Sequence, residues 1–315
     1  MRVVITGAFS YTGAAVARGL IARGHGVRTL TNRRPPPASD IAASPLYFDA
    51  DHLVRELRGA QVLVNTYWIR LSHAGQSFAT AVRNSEVLIA AAARAGVGRL
   101  VHVSVSNARA GGDLGYYAGK AQVEDIVRRA GVPYAIVRPT LVVGPADVLT
   151  NNIAWFLRRF PLFPLPGGGR YRLQPVSLDD AARILCDAVE EPADFEVDAA
   201  GPEILTFAEY VRVVARACRA RSRIVAAPRS ITLAALRLVG ALLRDVVPTR
   251  EELRGLEQEL LLSLAPPIGR ESVTRWVREH GEGLGRAYAN DLERHFRDGR
   301  RESVQPPPEV PRIGP

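Results

Sequence analysis

The sequence predicts an α/β fold: a Rossmann-type doubly wound parallel sheet with a smaller, mainly helical C-terminal lobe. Three observations predict it. Short β-branched runs alternate with longer Ala- and Leu-rich helical patterns through the first 140 residues. The runs are apolar at nearly every position, as strands covered by helices on both faces must be. The first run also leads directly into a glycine-marked turn and a helix, the order in which such folds begin.

Residues 2–6, 27–31, 61–65, 100–104 and 134–138 read as strands, and residues 12–23, 51–58, 75–95 and 114–130 as the intervening helices. Gly24, Gly96 and Gly131 each follow a helical run, where a left-handed cap is wanted. Past Pro139 the rhythm changes. Pro161, Pro164 and Pro166 with Gly167, Gly168 and Gly169 read as a loop, residues 171–176 as a short strand pair, and residues 179–190 and 207–219 as helices. Beyond Pro228 the chain reads as purely helical, over 231–243, 250–263 and 271–297. The expected domains are a cofactor-binding core over 1–145, with about 175–200 completing its sheet, a helical substrate lobe over 146–300, and a proline-rich disordered tail over 301–315.

Composition narrows the class. With 47% hydrophobic and 23% charged residues over 315 positions, the chain is an ordinary globular protein and no collagen, disulfide scaffold or wholly disordered chain. The longest apolar stretch, 231–243, is broken by Arg237 and too short to span a bilayer, and the valines and isoleucine that begin at position 3, inside the first strand, leave no room for a leader. Cys186 and Cys218 stand alone in helical patterns, suggesting neither a disulfide nor a metal site. A cytoplasmic setting is expected. The net charge is +9, and among 41 basic residues there is a single lysine, Lys120. The plain reading of the arginines is solvated helix faces, with a membrane surface as the next reading. Nucleic acid comes last, because the clusters at 216–223 and 294–301 lack interleaved aromatics.

The turn Thr6-Gly7-Ala8-Phe9-Ser10-Tyr11-Thr12-Gly13 sits between first strand and first helix. Gly7 and Gly13 match the first and third glycines of a pyrophosphate-binding turn, and Ser10 stands at the second. Its β-carbon either displaces the cofactor slightly or lets the hydroxyl donate to a phosphate. Twenty residues past Gly13 comes Asn32-Arg33-Arg34, where an NAD enzyme wants an acid; a guanidinium suits a 2′-phosphate, so NADP is favoured over NAD. Asp49, read as the end of the third strand, either meets the adenine amino group or starts a helix.

Tyr116 and Lys120 lie four apart on a helix, hence on one face, with Ser104 and Ser106 at the end of the preceding strand. An ammonium there lowers the phenol's pKa and grips a ribose, the phenol passes a proton to a carbonyl oxygen, and a serine holds that oxygen. Tyr117 is the decoy. His25, His52, His73, His102, His280 and His295 form no metal-ligand spacing, and Asp179-Asp180 reads as a helix start.

The Thr6–Gly13 turn, Asn84, Val101-His102-Val103-Ser104, Tyr116-x-x-x-Lys120 and Arg138-Pro139-Thr140 with Gly144-Pro145 resemble the short-chain dehydrogenase/reductase superfamily, in its extended or atypical branch. The part containing Asn151-Asn152-Ile153-Ala154-Trp155, Pro164-Leu165-Pro166-Gly167 and Gln174-Pro175-Val176 is similar to proteins related to the NADPH-binding accessory subunit of respiratory complex I. The superfamily resemblance implies catalytic roles for Tyr116 and Lys120, a substrate-orienting Ser104, with Ser106 as its competitor, and a water relay at Asn84. The expected cofactor set is Gly7, Ser10, Tyr11, Gly13, Arg33, Asp49, Lys120 and Pro139. Departures are Ser10 and the bulky Asn65-Thr66-Tyr67-Trp68, which narrows the nicotinamide pocket.

The expected function is an NADP-dependent oxidoreductase acting on a small or apolar carbonyl or alcohol. Its alternatives are a non-turnover NADPH-binding module of a membrane-associated complex, a sugar epimerase or dehydratase, and a redox-sensing regulator. Against nucleotide sugars, the place of the arginine that the resemblance pairs with a diphosphate holds Leu173, with Arg172 one position away. Oligomeric state is not legible.

Overall fold

The strands at the middle of this protein are apolar on both faces, and the fold follows from the need to cover both. The computed structural model describes residues 1–72, 75–234, 240 and 250–290. In chain order its first half comprises β1 (Arg2–Thr6), α1 (Tyr11–Ala22), β2 (Gly26–Leu30), β3 (Ala42–Ser44), α2 (Ala50–Leu57), β4 (Val62–Asn65), α3 (Phe78–Arg94), β5 (Arg99–Val103), α4 (Gly115–Arg128) and β6 (Tyr134–Pro139). The second half comprises β7 (Leu141–Val143), α5 (Val148–Arg159), β8 (Leu162–Pro166), β9 (Arg172–Leu173), β10 (Pro175–Ser177), α6 (Leu178–Glu190), β11 (Phe195–Ala199), β12 (Leu205–Thr206), α7 (Phe207–Ala217), β13 (Arg223–Ala227), α8 (Arg250–Glu257) and α9 (Val273–His280).

Seven strands form one parallel sheet in the order β11-β6-β5-β4-β1-β2-β3. Val3, Ile5, Val62, Val64, Val101 and Val137 face α1 and α6, packing on Val16, Leu20 and Leu185. Val4, Leu63, Leu100 and Ile136 face the other way, onto Leu53, Leu88, Val123 and Val127 of α2, α3 and α4. Neighbouring β1 and β4 lead to helices on opposite faces, so a crevice opens between their carboxyl ends, where such sheets bind ligands.

Helix starts follow local chemistry. Ser10, Asp49, Ser77, Asp147, Ser177, Thr206 and Ser272 each accept a bond from an amide in the first turn. The predicted helix over 75–95 therefore begins at Phe78, after its cap. The start expected at Asp179-Asp180 is capped by Ser177 instead, and Asp180 accepts from the amides of Arg270 and Glu271 at 2.6 and 2.7 Å. Gly24, Gly96 and Gly131 have φ of +80°, +72° and +67°, the left-handed conformation their positions ask for.

The second half corrects several expectations. The proline-rich stretch is not all loop: β8 runs through Pro164 and Pro166 and pairs in parallel with β13. The strand pair expected over 171–176 is two strands that do not pair with each other, since β9 joins β12 and β10 joins β7. The helix over 250–263 stops at Glu257, with Glu259 at a φ of +56°, and that over 271–297 stops at His280, where Gly281, Gly283 and Gly285 follow in quick succession. A second core gathers Ile153, Leu157, Tyr210, Val214, Val273 and Val277 from α5, α7 and α9. The stretch 231–243 lies largely outside the described residues; the arginine cluster at 294–301, His73, His295 and the tail over 301–315 lie wholly outside them. Among the described residues no helix is long and apolar enough to cross a membrane.

Candidate cofactor and active site

The turn after β1 is tight enough to need glycine. Gly7 sits at φ +81°, and a β-carbon at Gly13 would stand 2.2 Å from the Gly7 carbonyl oxygen. Ser10 caps α1, its Oγ accepting from the Gly13 amide at 3.3 Å. That use takes a lone pair and leaves the hydroxyl proton for an anion. The turn thus fits the pyrophosphate of a dinucleotide: it brings backbone to the positive end of a helix with no β-carbon at Gly7 or Gly13 in the way. Tyr11 opens the helix with its ring across Gly144, where a β-carbon would lie 2.6 Å from its hydroxyl. Pro139 is buried at the end of β6.

Just past β2, Arg33 is half-buried, its amide bound to Thr31 Oγ1 at 3.1 Å, and Arg34 is exposed. Asn32 clamps β2 to the segment before α2, exchanging bonds with the backbone of Leu46 at 2.9 and 3.0 Å. Asp49 starts α2, accepting from the His52 amide at 2.7 Å; of its two expected uses, the helix start is the one the structure displays.

A polar row crosses the carboxyl ends of β1, β4 and β5. Thr6 Oγ1 receives the amides of Thr66 and Tyr67 at 2.9 and 3.1 Å and lies 3.3 Å from Asn65 Oδ1; Asn65 in turn contacts His102 Nδ1 at 3.2 Å. Burial, together with Lys120 and Arg138, holds the His102 imidazole well below its usual range, so the ring is neutral. The segment that follows β4 spans the site: Thr66 lies against Gly7, and Trp68 lies against Gly119 and Lys120.

Tyr116, Lys120 and Glu124 stand at successive four-residue steps along α4. Tyr116 meets Trp68 and Phe78 edge-on at 6.1 and 6.0 Å, and burial pushes its phenol up to about 12, with Arg70 opposing and Glu252 adding to the rise. Lys120 donates to the Val103 carbonyl at 2.7 Å, and burial lowers its ammonium to about 7 against the pull of Glu124. Tyr117 packs with Leu114 and Leu260, and its ring meets that of Tyr116 edge-on at 5.5 Å.

The remaining predicted groups are tied elsewhere. Ser104 donates to Glu124 at 2.6 Å, Ser106 to the Leu260 carbonyl at 2.7 Å, and Asn84 to the Tyr67 hydroxyl at 2.9 Å. A serine hydroxyl has one proton, so neither serine can donate to a carbonyl oxygen while these bonds stand. Sequence reasoning missed Glu124. It is buried and takes bonds from Ser104, from Arg138 at 2.8 Å on both oxygens and from Arg128 at 3.0 Å. Burial alone would raise its carboxyl, but those donors hold it below the usual range. Its only signal was its place four residues past Lys120.

A model described as the NmrA-like family matches residues 1–249. The chain is 28% identical over 246 residues to a ceramide reductase of Caulobacter vibrioides, covering 76% of this chain and 77% of that one. It is 25% identical over 191 residues to the mitochondrial NADH dehydrogenase (ubiquinone) 1 alpha subcomplex subunit 9 of Arabidopsis thaliana, covering 59% of this chain and 48% of that one. It also matches uncharacterised mycobacterial proteins at 28% identity, spanning 23% of their length. Among solved structures, the Citrobacter sp. triphenylmethane reductase complexed with NADP(H) superposes with a TM-score of 0.72 at 13% identity, covering 89% of this chain and 100% of that one. At that identity the likeness is one of fold.

Proposed function

This chain belongs to the NmrA-like family, and from that premise we propose that it is an NADP-dependent reductase of an apolar carbonyl compound. The reading rests on one observation: Tyr116 and Lys120 share a face of α4, joined by the segment 66–68 to the glycine turn at the head of α1. NADPH, when bound, supplies the hydride. Gly7, Ser10 and Gly13 hold its pyrophosphate, Arg33 takes the 2′-phosphate and Lys120 takes the ribose. Tyr116 gives the carbonyl oxygen its proton, breaking the phenolic O–H bond as the new O–H bond forms. A phenol raised to about 12 is protonated at every working pH, which suits a donor better than a base. Trp68, Phe78 and Tyr116 make an aromatic wall suited to an apolar substrate. Leu173 is buried, and Arg172 turns outward to pair with Glu259 at 2.6 Å, which argues against a diphosphate-bearing sugar.

A second reading is a module that holds NADPH without turnover, within a larger or membrane-associated assembly. The bonds that tie up Ser104, Ser106 and Asn84 favour it, as does the similarity to the Arabidopsis subunit. NADPH oxidation across a panel of apolar carbonyls separates the two. Tyr116→Phe is expected to lower turnover by about 10²–10⁴-fold with NADPH affinity nearly intact, and Lys120→Ala to damage both. Arg33→Asp should reduce or reverse the preference for NADPH over NADH. Turnover that survives Tyr116→Phe moves the assignment away from Tyr116, and equal wild-type affinities for the two cofactors remove the NADP reading.

A further inference from the structure

Lys120 has no open side. Its ammonium donates to Val103 and lies 4.8 Å from the centre of the Trp68 ring, and the residue is only 3% exposed. Trp68 reaches this place because position 119 is glycine: a β-carbon there would stand 2.8 and 3.0 Å from two atoms of the indole. Phe78 stacks beside the indole at 6.2 Å with 10° between the planes. The seat is an imperfect one. Among the described residues the buried indole N–H has no hydrogen-bond partner, a loss relieved in any position that offers it water or a carbonyl. The cation on the face of the ring holds it in place, while the unmade bond at its edge favours leaving.

We infer that Trp68 is a displaceable cover on Lys120 that sets how tightly the nicotinamide-ribose half of the dinucleotide is held. This rests on the reading of Lys120 as the ribose ligand. The indole lies over Nζ, so a ribose hydroxyl that approaches the ammonium from that side must displace it. Indole and ribose therefore compete for one ammonium. The adenosine half, which meets Gly7, Gly13 and Arg33, competes with neither. Affinity for the whole cofactor is lowered by the fraction of molecules in which the cover is closed, and affinity for the adenosine half is not.

The test compares NADP⁺ with 2′,5′-ADP, which carries the 2′-phosphate and ends before the nicotinamide ribose. By calorimetry, Trp68→Ala should bind NADP⁺ about five- to tenfold more tightly than the wild type, the order of a desolvated cation–π contact less the indole's unmade hydrogen bond, and Trp68→Phe should show a smaller gain. Binding of 2′,5′-ADP should be the same in all three. The chain has three tryptophans. In Trp155→Phe/Trp276→Phe only Trp68 fluoresces, and NADP⁺ but not 2′,5′-ADP should make it more accessible to acrylamide. This measurement and Trp68→Phe carry the test should Trp68→Ala not fold. Weaker NADP⁺ binding in the Trp68 variants would show that the ring packs on bound cofactor and would end the proposal. Unchanged affinity with unchanged quenching would also end it while leaving the cofactor reading intact, provided 2′,5′-ADP still binds. Failure of both ligands to bind the wild type overturns the cofactor reading and this inference together.

Discussion

Lys120 illustrates how far a single residue can be read from sequence. Its being the sole lysine among 41 basic residues, four places after Tyr116, marked it as functional, but nothing in the sequence showed that burial would lower its ammonium from 10.5 to about 7. The same holds for Ser104 and Ser106, whose commitments to Glu124 and to the Leu260 carbonyl depend on packing across the chain. A depressed lysine has a definite stability signature. Below pH 7 both folded and unfolded chains carry the charge, and the folded one bears the full cost of burying it. Between pH 7 and 10.5 the unfolded chain binds more protons, so stability rises with pH, and above 10.5 the cost is gone. The shift corresponds to roughly 3–5 kcal/mol at most. Lys120→Met should therefore raise the Tm by about 4 °C or more near pH 6, with the gain shrinking steadily towards pH 10. Thermal scans that show Lys120→Met losing stability at pH 6 would mean that the ammonium is a net stabiliser held by Glu124.

At the scale of elements, α4 is the part that most needs fixing in place, because it carries both side chains proposed to act on substrate and cofactor. Glu124 fixes it. One carboxylate joins the helix to Ser104 beyond β5, to Arg138 on β6 and to Arg128 a turn further along, while Arg128 and Arg138 both reach Glu196 on β11. Glu124→Ala leaves two guanidinium groups short of a partner in a largely buried place and should cost about 3 kcal/mol, against about 1 kcal/mol for Ser104→Ala. Urea titrations of the two variants check this, and equal losses would show that the network does not act through Glu124. Strands with β-branched, apolar runs such as β1, β4 and β5 were legible because both faces are buried. The strands β8 and β13 were not. Leu162-Phe163-Pro164-Leu165-Pro166 carries the residue that marks a loop, and only its place in a two-stranded edge pair lets proline stand in a ladder.

For the molecule as a whole, the sequence made the parallel sheet and its glycine turn plain, because both are written in local patterns. The far wall of the site was hidden, since it is assembled from the chain's last described segment. Glu252 pairs with Arg70 at 3.0 Å, Leu260 packs on Tyr117, and Val273 and Val277 complete the second core. Arg172 and Arg229 pair with Glu259 and Glu257, and Arg254 with Asp113, fastening the same segment to three more parts of the fold. Exposed pairs of this kind add little in water, so the apolar contacts carry most of the attachment. A chain ending at residue 249, where the family match stops, should keep its far-UV circular dichroism yet lose near-UV signal and cooperative unfolding. Cooperative unfolding of that shortened chain at the full-length temperature would show that the last segment is an appendage.

The position of β11 also has a consequence for how the protein is made. It lies outside β6 in the sheet, yet more than 50 residues separate the end of one from the start of the other. On the ribosome, β6 therefore presents a bare row of amides and carbonyls until β11 arrives, for roughly three to ten seconds at ordinary elongation rates. Arg138 and Glu196 face each other across that gap. Until β11 arrives with Glu196, Arg138 has Glu124 alone as its partner and β6 an open edge at the same place, and that interval is when the nascent chain most needs a chaperone's shelter.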